Sequence, residues 1–367
     1  MRNRLRLDWD WPLALSAAAL AVIGIIAIGS ATHIDTVGWA GSDYVIRQSV
    51  FFLINACIVI WLQRFDYRRL KELSVPIYIL TVLILVAVMF LGTSALGAQR
   101  WIQIGPVTVQ PSEFSKLLMI VSTAAMMAQR TGKLKTFRSL LPILLFVGVP
   151  AFLVFRQPDL GTSLVYVAIT IGMVFVAGIR IGLVRNIAVG AIALLPAVWF
   201  FLHDYQKRRI TVFLNPDEDP FGAGYHIIQS KISIGSGAVT GKGIFAGTQS
   251  RLNFLPENHT DFIFSVIGEE TGFIGCIVVL LLFFVLMYRT ILIARNANDD
   301  FSMLLATGIG TMLCFQVLVN IGMTTGIMPV TGIPLPFISY GVSSLTTNMM
   351  AVGLLLNISL QRKKRMF

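Results

Sequence analysis

Several acidic and basic residues of this sequence lie inside or beside long apolar runs, where ionisable side chains are unusual. Ionisable groups at membrane depth are costly, so each is a candidate for a functional site. Glu113 and Lys116 lie three residues apart, just after Pro111. A proline suits the first turn of a helix, and residues at i and i+3 share one helix face. This spacing predicts either a neutralised structural ion pair or one wall of a charged cavity.

Two aspartates stand where a polar segment meets an apolar run. Asp159 precedes Leu-Gly-Thr-Ser and suits either a helix N-cap or a contact to a substrate. Asp261 ends a long polar loop, and an N-cap would explain it as well. At the membrane–water boundary, however, lower polarity raises the pKa of a carboxyl group, which also suits a general base. His259 is a rival base or metal ligand.

The elements that must position these groups are long apolar helices. The chain has 367 residues, of which 56% are hydrophobic and 13% charged, with a mean hydropathy of +0.78. Soluble domains carry roughly 25% charged residues. We therefore expect an all-α polytopic membrane protein with about ten transmembrane helices. The apolar runs are 11–30, 48–62, 74–92, 112–129, 139–155, 161–179, 183–202, 262–288, 301–325 and 338–360.

Charge placement predicts the orientation of these helices. Basic residues on short loops favour the cytoplasmic side of the membrane. An even number of crossings places the basic N-terminal and C-terminal segments on the same side. Both termini are therefore predicted to be cytoplasmic. The first run is predicted to be a retained helix, since no A-x-A cleavage pattern follows it. The inner basic residues are Arg2, Arg4, Arg6, Arg64, Arg68, Arg69, Lys71, Arg130, Lys133, Lys135, Arg138, Arg180, Arg185, Arg289, Arg295, Arg362, Lys363, Lys364 and Arg365.

The other basic residues are not required by topology. They are predicted on outer loops or at the outer ends of helices, where they contact either lipid headgroups or an anionic partner. Since orientation accounts for most of the net charge of +11, that charge does not argue for nucleic acid binding. These outer residues are Arg47, Arg100, Lys116, Arg156, Lys207, Arg208, Arg209, Lys231, Lys242 and Arg251.

The outer loop 203–261 is the longest connection, and loops of this length without a function are uncommon. Phe221 to Ile234 is predicted to be an interfacial helix within it. The Gly-Lys pair at 241–242 has the wrong spacing for a Walker motif, and Ser or Thr does not follow it. Residues 1–367 are expected to form a single domain.

Motifs in several segments, in chain order, resemble the SEDS family (shape, elongation, division and sporulation). These segments are Gly97 to Lys116, Gln157 to Ser163, Gly224 to Lys231, Leu255 to Phe264, and Pro334 to Gly341. Within the family the chain is more similar to the rod-shape enzymes than to the division enzymes. The resemblance thus covers nearly the whole chain. One departure is Val342, where the family usually has a second glycine.

The resemblance implies peptidoglycan glycosyltransfer outside the bacterial cytoplasmic (inner) membrane, with lipid II as substrate. The family's catalytic aspartate falls on Asp261. It also implies a partner, a class B penicillin-binding protein transpeptidase within the elongation machinery. The residues expected to bind substrate are Arg100, Glu113, Lys116, Asp159, Arg209 and Lys231.

The donor sugar is α-linked to diphosphate and the product linkage is β-1,4, so a single inverting displacement is expected. Diphosphate is a good leaving group, so one carboxylate base and neutralising cations are sufficient. Lys116, Arg100, Arg209 or a divalent cation (Mg²⁺ or Mn²⁺) would take the diphosphate charge. The sequence does not identify ligands for such a metal.

Two other functions stay open from the sequence. A lipid II flippase would need polar groups near the bilayer midplane and often has broken helices. The polar groups here gather towards the outer ends of the helices, apart from Glu269 and Glu270. A scaffold of the elongation machinery without catalysis would have no need for Asp261.

Overall fold

The computed structural model describes residues 9–32, 42–95, 98–105, 107–201, 204–216, 219–220, 222–252 and 254–365. The predicted inner residues Arg2, Arg4 and Arg6 lie outside these ranges, as does Gly97. The side chains of Arg251 and of the C-terminal cluster 362–365 are also outside the described part.

Helices dominate the chain, and each predicted apolar run coincides with one of them. They are α1 (Trp11–Ala31), α2 (Ser42–Leu62), α3 (Arg69–Glu72), α4 (Ser74–Leu91), α5 (Pro111–Ala128), α6 (Phe137–Arg156), α7 (Leu160–Val176), α8 (Ile181–Phe201), α9 (Asp204–Leu214), α10 (Ala223–Ser236), α11 (Thr248–Arg251), α12 (Ile263–Arg295), α13 (Asp300–Thr325) and α14 (Val342–Arg365).

Within the described residues, seven helices are long and apolar enough to cross a membrane: α1, α2, α4, α6, α12, α13 and α14. Large apolar side chains such as Phe90 and Ile181 are 79% and 80% exposed. Such a surface suits lipid rather than water. The chain is therefore a multi-pass membrane protein, as predicted, while the count of ten crossings stays a prediction.

A small antiparallel sheet is an addition to the all-α prediction. Strands β1 (Thr93–Ala95), β2 (Ala98–Ile104) and β3 (Val107–Val109) pair in the order β1-β2-β3. Ile104 faces Val107 in the β2–β3 hairpin, and Gly105 in its turn has φ of 59°. The hairpin leads directly into Pro111, the first residue of α5, as the position of the proline predicted.

Helix α12 is interrupted at Gly272, whose φ of 63° and ψ of −161° suit glycine alone. The outer-loop segment 237–243 replaces the lost backbone bonds. The N–H groups of Lys242 and Gly243 donate to the carbonyls of Glu269 and Glu270, at 3.1 and 2.9 Å. The N–H groups of Phe273 and Ile274 donate to carbonyls of the same segment. The break in this apolar helix is tolerated because backbone groups of the outer-loop segment satisfy the hydrogen bonds that the helix loses.

Helix α13 lies at the centre of the bundle. It packs against α5, α7, α12 and α14, and most of its side chains are buried, whereas α4 is largely exposed. Helices α2, α5, α7, α12 and α14 all begin at one end of the bundle. The predicted inner loops lie at the opposite ends of these helices, so the chemistry-bearing residues share one face.

Candidate functional site

A cavity of about 610 Å³ opens at the end of the bundle where α2, α5, α7 and α14 begin. Its volume is within the range of cavities that bind small ligands. The β2–β3 hairpin, the segment before α12 and the α13–α14 connection complete its wall. Its charged lining residues are Arg47, Arg100, Glu113, Lys116, Asp159, Arg209, Glu257 and Asp261.

Asp261 lies in the turn before α12, with its half-buried side chain at the cavity wall. The N-cap of α12 is Phe262, so Asp261 does not cap this helix. The backbone carbonyl of Asp261 accepts a hydrogen bond from Asn320 Nδ2 at 2.9 Å. Gly332, with φ of 74°, passes close to the carboxylate: a Cβ at this position would lie 3.4 Å from Asp261 Oδ2. The backbone is therefore held while the carboxylate faces the cavity.

The surroundings of Asp261 oppose its ionisation. Desolvation raises the pKa of its carboxyl group to about 6 from 3.8, and the negative charge of Glu257 adds to this effect. Arg209 acts in the opposite direction and lowers this pKa, with a smaller contribution from Arg100. A carboxyl group with a pKa near the working pH is both deprotonated and basic enough to accept a proton, which suits a general base.

Glu113 and Lys116 form the ion pair that their spacing predicted. Lys116 Nζ donates to Glu113 Oε1 at 2.7 Å, and both side chains are almost completely buried. Glu113 Oε2 has no hydrogen-bond partner among the described residues. Both residues line the cavity, so the pair forms part of its floor. Glu113 Oε2 is left to accept a further hydrogen bond.

Arg100 and Asp159 meet beside this pair. Arg100 Nε donates to the carbonyl of Gln157 at 3.0 Å, a second guanidinium nitrogen donates to the carbonyl of Pro158, and a third lies 4.0 Å from Asp159 Oδ1. Asp159 caps α7, accepting from the N–H and the hydroxyl of Thr162, both at 3.0 Å. The N-cap interpretation of Asp159 is thus confirmed. Asp159 also lines the cavity, so the prediction that it contacts a substrate stays open.

Arg47 and Arg209 bring two further cations to the cavity from α2 and α9. Arg47 also donates a hydrogen bond to Tyr340. Arg47 was one of the outer basic residues that topology does not require, although no motif singled it out as a site residue. Four basic side chains therefore line one cavity, which suits an anionic ligand.

An aromatic cluster forms part of the cavity rim. The ring of Tyr44 lies 4.9 Å from that of Tyr340, edge to face, and 5.1 Å from that of His259. Burial lowers the pKa of His259, and the negative charge of Glu257 partly offsets this decrease. The ring of His259 packs against those of Tyr44 and Tyr340 and also lines the cavity, so His259 stays a rival to Asp261 as the base. Tyr44 and Tyr340 were not identified from the sequence, since tyrosines beside apolar runs are common.

Lys231 is the predicted substrate-binding residue that does not line the cavity. It is exposed on α10 and its side chain lies against Gly326 at the end of α13. Two other outer basic residues are paired within the protein. Arg208 contacts Asp219 at 2.7 Å, and Lys242 contacts Glu269 at 2.7 Å. A helix is observed where the interfacial helix was predicted: α10, with Phe221 outside the described residues. It packs against α12 and α13, and its place at the membrane surface stays a prediction.

A divalent cation would have few protein ligands in this cavity. Among the residues that the structure describes, no three His, Cys, Asp or Glu side chains group closely enough to hold a metal. Mg²⁺ is commonly bound by one or two carboxylates together with substrate phosphates. Glu257 and Asp261 are carboxylates that could take part in such a site once a phosphate is present. The metal requirement stays a prediction.

Fold and site together define a class: a multi-pass membrane protein with a charged cavity at one end of its helices. A model of the FtsW/RodA/SpoVE cell cycle protein family matches residues 11–364. The chain therefore belongs to this family, and the resemblance predicted from its motifs is confirmed.

Relatives with assigned names cover most of the chain. It is 43% identical to the peptidoglycan glycosyltransferase MrdB of Escherichia coli K12 over 288 residues, or 78% of each protein. It is 38% identical to the probable peptidoglycan glycosyltransferase FtsW of Trichlorobacter lovleyi over 366 residues, covering 98% of this chain and 95% of that protein. It is 40% identical to the stage V sporulation protein E of Bacillus subtilis over 362 residues, with 95% and 96% covered.

Two solved structures have the same fold. One belongs to a study of the coordination of polymerization and crosslinking by a peptidoglycan synthase complex, with a TM-score of 0.82 and 31% identity. The other is the crystal structure of the rod shape determining protein RodA of Thermus thermophilus, with a TM-score of 0.72 and 30% identity. Each alignment covers 97% of this chain and 98% of the other.

Proposed function

We propose that this chain is an inverting peptidoglycan glycosyltransferase that polymerises lipid II into β-1,4-linked strands during cell elongation. The observation that carries this proposal is the position of Asp261. A carboxylate with a raised pKa faces a cavity that also holds Arg100, Lys116 and Arg209. One base and several cations are the groups that an inverting transfer from a sugar diphosphate needs.

In this mechanism Asp261 accepts the proton of the acceptor 4-hydroxyl as that oxygen attacks the anomeric carbon of the donor. The bond to the diphosphate breaks, and the leaving group takes the electron pair. Arg100, Lys116 and Arg209 stabilise the charge that develops on it. Glu113 holds Lys116 in place through the 2.7 Å contact. Arg47 is a further cation of the same cavity, and Asp159 orients Arg100.

The test is polymerisation of purified lipid II in detergent by the wild-type chain and by Asp261→Asn. The substitution is nearly isosteric and removes the base, so the rate is expected to fall at least about 100-fold. Asp300→Asn is the matched control, because Asp300 is an exposed carboxylate at the opposite end of the bundle. If Asp261→Asn polymerised lipid II at the wild-type rate, this carboxylate would not be the base.

The same assay separates polymerisation from the other two functions. A flippase and a scaffold both predict no glycan product in detergent, where there is no membrane to cross. The charged lining is concentrated at one end of the helices. This distribution supports chemistry at a surface over passage through the midplane.

The setting of the reaction belongs to the proposal. The chain would lie in the bacterial cytoplasmic membrane with the cavity on the outer face and both termini in the cytoplasm. A class B penicillin-binding protein would crosslink the strands that it makes. A structural neighbour that belongs to a peptidoglycan synthase complex supports such a partner. Lys231 is kept as a headgroup or substrate contact outside the cavity.

A further inference from the structure

Three consecutive backbone carbonyls before α12 are bonded to other parts of the bundle. The carbonyl of His259 accepts from the N–H of Tyr340 at 2.9 Å. The carbonyl of Thr260 accepts from the hydroxyl of Ser339 at 2.6 Å, and that of Asp261 accepts from Asn320 at 2.9 Å. The backbone that carries Asp261 is therefore fixed from α13 and from the α13–α14 connection.

Asn320 joins two walls of the cavity through one amide group. Its Nδ2 also donates to the carbonyl of Ile333, at 2.8 Å, and its side chain is completely buried on α13. Ile333 lines the cavity and follows Gly332, which passes beside the Asp261 carboxylate. One amide with two N–H groups thus bonds to both the segment that carries the carboxylate and the segment that passes beside it.

The two contacts require a group with two hydrogen-bond donors at this point, which the amide nitrogen of Asn320 supplies. Both partners are carbonyls, which only accept, so the NH₂ group and not the amide oxygen must face them. Asn320 Oδ1 is left without a hydrogen-bond partner among the described residues. The orientation of the amide is therefore set by the two carbonyls. A side chain of similar shape without donors would leave two partly or fully buried carbonyls unpaired, which is costly.

We propose that Asn320 is a positioning residue for the reaction. It bonds to the backbone of Asp261 and of Ile333 at once, and so holds the carboxylate at a defined distance from the opposite cavity wall. Asn320 does not touch substrate in this proposal and acts only through Asp261. The inference rests on the proposed function, because it takes Asp261 as the base. General bases need placement to a fraction of an ångström, and misplacement by about 1 Å costs about 100-fold in rate.

The matched control is one turn away on the same helix. Gln316 is also completely buried on α13, yet neither its Oε1 nor its Nε2 has a hydrogen-bond partner among the described residues. Asn320→Leu and Gln316→Leu each replace a buried amide with an apolar side chain. Only the first removes bonds to the cavity walls, so a difference between the two variants reports the bonds and not the loss of a polar group.

The experiment measures the rate of lipid II polymerisation at varied substrate concentration for both variants, at a temperature where both are folded. Asn320→Leu is expected to lower kcat about 10- to 100-fold with KM changed by less than about threefold, since the cations are untouched. Gln316→Leu is expected to keep the wild-type kcat. Asn320→Ser, whose hydroxyl stands one bond short of the position of Nδ2 and so cannot reach both carbonyls, is also expected to lower kcat.

Hydrogen exchange gives a readout that does not depend on activity. In Asn320→Leu the amides of residues 260–262 and of Tyr340 are expected to exchange faster than in wild type and in Gln316→Leu. Wild-type kcat and wild-type exchange in Asn320→Leu would overturn the inference, as would a KM effect with kcat unchanged. If instead Asp261→Asn in the same series kept full activity, the proposed function of Asp261 would fail, while the exchange data would still report on Asn320.

Discussion

At the scale of single residues, the proposed chemistry depends on the carboxyl group of Asp261, which the fold holds in a desolvated position. Burial and Glu257 raise the pKa of Asp261, and Arg209 limits that rise. In the folded protein the proton is bound more tightly than in the unfolded chain. Protonation therefore stabilises the fold as the pH falls through about 6 towards 3.8. Above pH 6 the ionised carboxylate of Asp261 lowers the free energy of unfolding, and the proposed reaction requires this ionised form.

The rate of polymerisation is accordingly expected to fall on the acid side with a midpoint near the pKa of about 6, because protonated Asp261 cannot accept a proton. Glu257→Gln removes a negative charge beside Asp261. It is expected to move the acid midpoint to lower pH, and the measurement is a pH–rate profile of both proteins. A midpoint that stayed fixed or moved upwards in Glu257→Gln would contradict this electrostatic account.

At the scale of elements, two irregular segments build the site. The β2–β3 hairpin carries Arg100 to the cavity, and its end fixes the start of α5 and so the Glu113–Lys116 pair. The outer-loop segment after α10 is anchored on α12. Glu269 Oε1 accepts from the N–H groups of Thr248 and Gln249 at 2.8 and 3.0 Å. These anchors and the break at Gly272 tie the outer loop to the helix that follows Asp261.

Gly272→Ala is expected to lower the free energy of unfolding by about 1–3 kcal/mol, because only glycine adopts this backbone conformation without strain. An added Cβ would also lie 2.7 Å from the carbonyl oxygen of Val239. Thermal unfolding in detergent measures the effect. Gly148→Ala is the control, since a Cβ there meets nothing within 4 Å, and alanine is expected to be neutral or stabilising within a helix. Equal stability of the two variants would argue against a fixed break in α12.

At the scale of the whole molecule, the cavity and the predicted inner loops lie at opposite ends of the bundle. The cavity end holds Asp261 and Lys116, and the other end holds the Arg289–Asp10 ion pair, 2.6 Å apart. Apolar side chains cover much of the surface between the two ends. A lipid-linked substrate could thus keep its chain in the bilayer while its polar head reaches the cavity.

This arrangement predicts which positions a membrane-impermeant thiol reagent can reach. Thr108, exposed at the cavity rim, and Lys135, exposed at the opposite end, are each changed to Cys after replacement of Cys57, Cys276 and Cys314. Thr108→Cys is expected to react in intact spheroplasts, and Lys135→Cys only after lysis. The reverse pattern would invert the proposed orientation and place the cavity in the cytoplasm.

Much of the fold could be predicted from the sequence, because a long apolar segment forms a membrane helix whatever its tertiary contacts are. Helix positions, the helix start at Pro111, the Glu113–Lys116 pair and the Asp159 cap all depend on residues close in sequence. The β-sheet before α5 was not predicted, because its strands are short and an alternating pattern over so few residues does not show which strands pair. The break in α12 was missed because a single glycine within an apolar run carries no distinct signal.

The sequence by itself determined the class of protein, the helices and the residues with ionisable groups at unusual depth, since each follows from local hydrophobicity and spacing. Only the tertiary structure decided which of those residues meet. It brought Arg47 and Tyr340 to the cavity, placed Lys231 outside it, and bonded Asn320 to the backbone of Asp261. Such contacts join residues tens to hundreds of positions apart, and their distances depend on how the helices pack, which no local pattern encodes.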